Sequence, residues 1–271
     1  MSDFILRPAS AADAPDIIEI LARSFGDPTE FIAALLNEAN LLPCALCAEA
    51  EGHIKSVMFA FDGLSLGGRS AAYLYALCTD PTARRHGMGR AVAGALAQRC
   101  FDRGAEIVFL SPANDDLAAW YSRILGTKPM AAYADVPQPL VDGGALCTPL
   151  SAAEYLALRQ NAVGVTEQLL CAQSVLYRFF GGGFFRVELD GVTALACAEP
   201  REDSLLLREL LCPEPLRSAV CGALARRFGR SRAFLRCASP VGNDLVYITN
   251  SKFCEETVND IENTAFFYNL E

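Results

Sequence analysis

The stretch TDPTARRHGMGRAVAGALAQR, residues 79–99, decides the fold of this chain. The apolar run YLYALC, residues 73–78, leads into it, and an alanine-rich helix former from Ala91 to Arg103 leads out. Between them Arg84, Gly87 and Gly89 form R-x-x-G-x-G. Glycines permit a tight backbone path that turns successive N–H groups inward, and a helix start adds partial positive charge where they converge. Such a turn suits a diphosphate, and Arg84, Arg85 and Arg90 set full charges beside it. A nucleoside-triphosphate loop needs Gly-Lys-Ser/Thr, and a dinucleotide fold needs G-x-G-x-x-G after the first strand of a parallel unit. Neither pattern is present here.

Upstream, FILRPAS predicts a strand, and a helix starting at Ala11 or Asp13 carries Ile17, Ile18, Leu21 and Phe25 at helical spacing. A second helix is expected over Thr29–Ala39. Residues 43–80, broken by EGH and GG, then predict three strands of an antiparallel meander. Downstream, EIVFLSP is a buried strand, and Asp115–Leu125 is a helix ending at Gly126. From Val136, the stretch VPQPLVDGGALCTPLS predicts a connecting segment.

The second part opens with two helical stretches, 151–163 and 166–180, and GGG follows. Three strands, a helix over Pro215–Phe228 and the strand AFLRCASP come next. Laying residue 91 on 219 pairs AVAGALAQR with AVCGALARR, identical at seven of nine positions, and the same offset sets Ser111-Pro112 on Ser239-Pro240. This is the mark of a tandem duplication. In the second copy the loop from Arg84 to Gly89 becomes CPEPLR, Cys212 to Arg217. Pro213 and Pro215 remove N–H donors, Glu214 opposes a phosphate, and both glycines are gone.

Composition narrows the partners. Of 271 residues 52% are apolar, enough for one large or two modest cores, and 23 basic against 32 acidic residues leave a net charge of −9. Neither nucleic acid nor an anionic membrane is an expected partner. The start, MSDFILRPAS, fits neither a signal nor a transit peptide, so a cytoplasmic location is expected. Eleven cysteines, an odd number, lie mostly inside apolar runs. Only Cys44 and Cys47 have a metal-like spacing, without a second ligand pair, and His53 and His86 are the only histidines. No metal is expected.

The loop TDPTARRHGMGRAV and the opening ILRPASAADA resemble the GNAT superfamily of acyl-CoA-dependent N-acyltransferases, over residues 3 to 135. The resemblance implies an α/β fold of α+β type with a mixed sheet, arranged as two tandem GNAT-like domains. The first, 1–140, would be catalytic, and the second, 151–271, a degenerate copy without the coenzyme A loop. It implies that Arg84, Arg85, His86, Gly87, Met88, Gly89 and Arg90 bind the diphosphate of acetyl-CoA. It also implies that the fourth and fifth strands splay, so that the pantetheine arm lies along the backbone of Leu77, Cys78 and Thr79. Asn114 would contact that arm, and Tyr121 would be the catalytic acid facing its sulfur. A phenol with pKa near 10 is protonated at neutral pH and can donate to a departing thiolate.

The general base is open. YLYALC carries no carboxylate, while Glu49 and Glu51 on the meander could act through water or be ordinary surface acids. AFFYNL, residues 265–270, predicts a final strand that ends at Glu271. In some tandem relatives the terminal carboxylate is thought to serve as base, and a frayed terminus is the plainer alternative. The expected function is acetyl transfer from acetyl-CoA to a small-molecule or peptide amine by direct attack. A non-catalytic acyl-CoA-binding sensor or assembly module is the alternative. The second half would shape the cleft or support assembly as a homo-oligomer.

Overall fold

The computed structural model describes residues 4–66, 68–159, 165–239 and 244–249. The chain begins with strand β1 (Ile5–Pro8) and helices α1 (Ala14–Phe25) and α2 (Thr29–Glu38). The opening motif works as a clamp between them. Both guanidinium Nη atoms of Arg7 donate to Asp13 at 2.8 Å, and its Nε donates to Glu49 at 2.5 Å. Asp13 also accepts from the Ser10 backbone N–H at 2.7 Å. Arg7 therefore holds the Asp13 carboxyl well below the usual range. Helix α1 buries Ile17, Ile20 and Leu21 and stops at Gly26, whose φ of +77° suits a residue without a Cβ.

Strands β2 (Ala45–Ala50), β3 (His53–Leu66) and β4 (Arg69–Thr79) form the expected antiparallel meander. A glycine turn leads to helix α3 (Met88–Asp102), strand β5 (Ile107–Leu110) and helix α4 (Asp115–Leu125). Strand β6 (Lys128–Gln138) follows, and a short connection reaches β7 (Leu146–Leu150). Helices α5 (Ala152–Leu158) and α6 (Glu167–Phe179) precede β8 (Gly183–Leu189), β9 (Val192–Pro200) and β10 (Leu205–Leu211). Helix α7 (Arg217–Arg227), β11 (Ala233–Ser239) and β12 (Leu245–Thr249) complete the described chain.

The twelve strands of the described residues make one mixed sheet in the order β1-β2-β3-β4-β5-β12-β6-β11-β10-β9-β8-β7. The two ends mirror each other. β4 runs parallel to β5 and antiparallel to β3, and β10 runs parallel to β11 and antiparallel to β9. The halves are joined by strand exchange: β6 follows α4 but pairs with β11, whereas β12 follows β11 but pairs with β5. One apolar core also spans both, packing Ile17, Phe31 and Phe59 together with Leu170, Leu176 and Phe184. A second core lies under α3 and α4 on the other face, and a third lies under α7.

The proline-rich stretch from Val136 is not wholly a connection. Pro137 lies in β6 and Pro149 in β7. β6 tolerates prolines because, among the described residues, Lys128, Pro129 and Ala131 pair only with β12 and residues 132–138 only with β11, so no position pairs on both edges there. β7 is the end strand of the sheet. The expected strand at residues 265–270 lies outside the described residues.

Candidate active site

The site is built where β4 and β5 part. They pair over Ala71–Leu74 and Ile107–Leu110, and beyond Leu74 the β5 side of β4 has no strand partner among the described residues. At the same place the pairing of β4 with β3 slips by one residue, between Phe59↔Tyr75 and Val57↔Cys78. Ala76 lies in this bulge with φ of +53°, a conformation unusual for a residue with a Cβ. The edge of Leu77, Cys78 and Thr79 is thereby left facing a groove. Buried Ser56 steadies that edge, donating to the Cys78 carbonyl at 2.8 Å and contacting the Thr79 hydroxyl at 2.9 Å.

The loop beyond is locked by its own chemistry. Asp80 accepts from the Thr82 backbone N–H at 2.8 Å and its hydroxyl at 2.6 Å, which pulls the Asp80 carboxyl below its usual range. Arg85 and Gly87 then take left-handed φ values of +67° and +83° and swing the chain into α3. Gly89 answers a different need, since a Cβ there would lie 3.0 Å from the Thr79 hydroxyl. Gly87 thus serves the turn, and Gly89 lets the helix approach the strand. The first turn of α3 has no capping side chain and no acid, so its orphan N–H groups face the groove beside Arg84, Arg85 and Arg90. Such an uncapped helix start beside three arginines is suited to an anion.

Tyr121 on α4 also lines the groove, 7% exposed and edge-on to Trp120 at 4.9 Å. Burial, helped by neighbouring Cys78, pushes its phenol well above the ordinary value, so it remains a proton donor throughout the neutral range. The Cys78 thiol is 4% exposed, and burial pushes its pKa up to about 12. It is therefore no nucleophile at neutral pH.

Tyr121, Leu77, Leu117 and Phe25 also line a second, apolar space of about 300 Å³. It takes Met58, Leu74 and Leu110 from one core and Phe59, Tyr73 and Leu176 from the other. The space therefore passes through the sheet at the splay and joins the groove on the α3 side to the region under α1, α2 and α6.

Leu77, Cys78, Thr79, Arg84, Arg85, Gly87, Met88, Gly89, Arg90 and Tyr121 all line the groove. Two expected residues do not. His86 is exposed and does not belong to the lining. Asn114 caps α4, accepting from the Leu117 N–H at 2.9 Å, and lines a neighbouring polar cleft with Tyr133 and Arg236. A polar residue just before an apolar helix is itself a capping signal. Glu49 pairs with Arg7, and Glu51 sits in the exposed β2–β3 turn, so neither lines the groove or the apolar cavity. Glu271 lies outside the described residues. Among the described residues no group of three or more His, Cys, Asp or Glu could hold a metal ion, and no helix is long and apolar enough to cross a membrane.

Residues 14–127, which contain the whole groove, match the model of the acetyltransferase (GNAT) family. The chain carries a GNAT domain. Solved structures extend the likeness in fold beyond that domain. A GCN5-related N-acetyltransferase from Kribbella flavida is 16% identical, with 91% of this chain and 71% of that one covered at a TM-score of 0.67. One from Anabaena variabilis is 13% identical over 90% and 72%, with a TM-score of 0.64. Eis1 from Mycobacterium abscessus is 13% identical over 91% and 73%, with a TM-score of 0.62. Curated protein sequences yield no match.

From β7 to β11 the second half repeats the order of elements from β1 to β5. β10 has its own one-residue slip against β9, at Arg208, and Arg208 Nε donates to Glu199 at 2.5 Å. The turn into α7 runs through Pro213 and Pro215. The connection between β6 and β7 then lies across α7. Val141 N–H donates to the Ser218 carbonyl at 3.1 Å, and a Cβ on Gly222 would collide with the Val141 backbone. Gly94, its counterpart on α3, has nothing within 4 Å of that position.

Proposed function

We propose that the chain is an acetyl-CoA-dependent N-acetyltransferase, with one active site in the GNAT domain. The observation that carries this reading is a continuous groove. It is lined together by the uncapped start of α3, the edge of β4 that has no strand partner among the described residues, and a buried phenol. The residues present fit the cosubstrate. The α3 amides and Arg84, Arg85 and Arg90 would hold its diphosphate, and the backbone of Leu77, Cys78 and Thr79 would hydrogen-bond its pantetheine amides like an added strand. Acetyl-CoA brings the activated acetyl group.

The amine nitrogen attacks the thioester carbonyl carbon and the carbon–sulfur bond breaks. The sulfur takes the Tyr121 proton, and the nitrogen gives up one of its own, which solvent carries back to the Tyr121 phenolate, leaving an amide and free coenzyme A thiol. The raised pKa of Cys78 favours this direct route over one through a cysteine thioester. A sensor that only bound acyl-CoA would need the cradle but not a second cavity meeting it at Tyr121. The second half is read as a degenerate copy that binds no coenzyme A and walls the acceptor side through α6. Free-thiol release from acetyl-CoA across a panel of amines tests the proposal. Turnover that Tyr121→Phe lowers supports it, and no release with any amine contradicts it.

A further inference from the structure

The apolar cavity is too large for the acetyl group alone. At about 300 Å³ it is about twice the 150 Å³ of an apolar cavity that holds benzene. Leu36 of α2, Phe59 and Tyr73 of the sheet, and Leu176 of α6 wall it, and Phe180 stands 53% exposed at its rim. Among the described residues of this lining one side chain, Asp27, is charged. It sits in the turn between α1 and α2, two residues beyond Phe25, which lines cavity and groove alike.

Asp27 makes no hydrogen bond or ion pair with any described residue. Burial raises its carboxyl pKa, a cost that a cationic partner would offset. An unpaired carboxylate beside an apolar, aromatic-walled space complements a molecule with one ammonium and an otherwise apolar body. The same space could extend a donor's acyl chain, but an acyl chain would give Asp27 no partner.

Resting on the acetyl-transfer reading above, we propose that the acceptor is a primary amine on an apolar body about the size of a phenylethyl group. The body fills the cavity under α2 and α6, and the amine arrives as an ammonium against Asp27, which selects it; one proton passes to solvent before the nitrogen attacks. Leu176 and Phe180 make the second half a part of this specificity.

Calorimetry of the whole chain with 2-phenylethylamine, 2-phenylethanol and spermidine tests the proposal without requiring turnover. 2-Phenylethylamine should bind once per chain and more tightly than spermidine. Asp27→Asn should weaken it by about tenfold, the worth of one charge-assisted contact, while leaving 2-phenylethanol and acetyl-CoA affinities unchanged. Asp27→Glu should restore most of the amine affinity, which separates lost charge from a damaged fold. Tighter spermidine binding, or an Asp27→Asn variant with unchanged amine affinity, would overturn the proposal. So would octanoyl-CoA binding far more tightly than acetyl-CoA and displacing the amine. Charge-dependent binding of 2-phenylethylamine without thiol release from acetyl-CoA would sustain the amine site and refute only the transfer reading.

Discussion

Replacing Gly87 with valine should separate the cradle from the fold. Gly87 has φ of +83°, and the left-handed conformation costs an ordinary L residue roughly 1–2 kcal/mol, more for a β-branched one. If the loop holds, the new side chain enters space where no protein atom lies within 4 Å of its Cβ, in the groove a diphosphate would fill. If the loop flips, the amides of α3 lose their approach. The strain alone corresponds to about a five- to thirtyfold loss of acetyl-CoA affinity, and steric exclusion adds to it. Gly104 is a matched control, with φ of +98° and nothing within 4 Å of its Cβ. It lies at the other end of α3, roughly 22 Å away at 1.5 Å per residue. Calorimetry with acetyl-CoA, alongside thermal unfolding, should show both valine variants destabilised and only Gly87→Val binding more than tenfold weaker. A folded Gly87→Val protein that binds like the wild type would refute the placement of the diphosphate.

Tyr121→Phe should lower single-turnover rates by about 10²- to 10⁴-fold and leave acetyl-CoA affinity nearly unchanged; an unaltered rate assigns Tyr121 to packing. Cys78, with its pKa raised to about 12, should escape iodoacetamide at pH 8 in the folded protein, as peptide mapping by mass spectrometry will show. Asp13→Asn should cost roughly 1.5–3 kcal/mol at pH 7 through its charged hydrogen bonds to Arg7. Because folding depresses the Asp13 pKa, that stability is present above the unfolded value of about 3.9 and is lost as pH falls through the folded one. The melting-temperature gap between wild type and variant should therefore close in acid, and a gap independent of pH would contradict the clamp.

The cradle and the helices around it are legible because their signals are local. The glycine spacing, the Asp80-Pro81 turn and the stop at Gly126 each fix backbone geometry within a few residues. β12 also has a local signal, LVYIT, rich in β-branched residues, but its place between β5 and β6 depends on pairing across more than a hundred residues. The prolines of 136–150 mislead because proline marks a connection only where both strand edges must pair, which neither β6 nor β7 requires. The cavity is hidden for another reason. Leu21, Phe31, Leu35 and Leu36 have the same helical spacing whether they close a core or wall a void. Leu176 and Phe180 reach that wall only because α6 packs across α2, with Phe31 and Phe179 rings 5.1 Å apart.

The difference between the two copies of one loop gives the most direct test of a single acetyl-CoA site. Acetyl-CoA titrated into the wild-type chain should bind at one site per chain. Grafting the second copy's Cys-Pro-Glu-Pro-Leu-Arg over residues 84–89 should abolish that binding while the protein still unfolds cooperatively. Two sites per wild-type chain, or undiminished affinity in the folded graft, would contradict it.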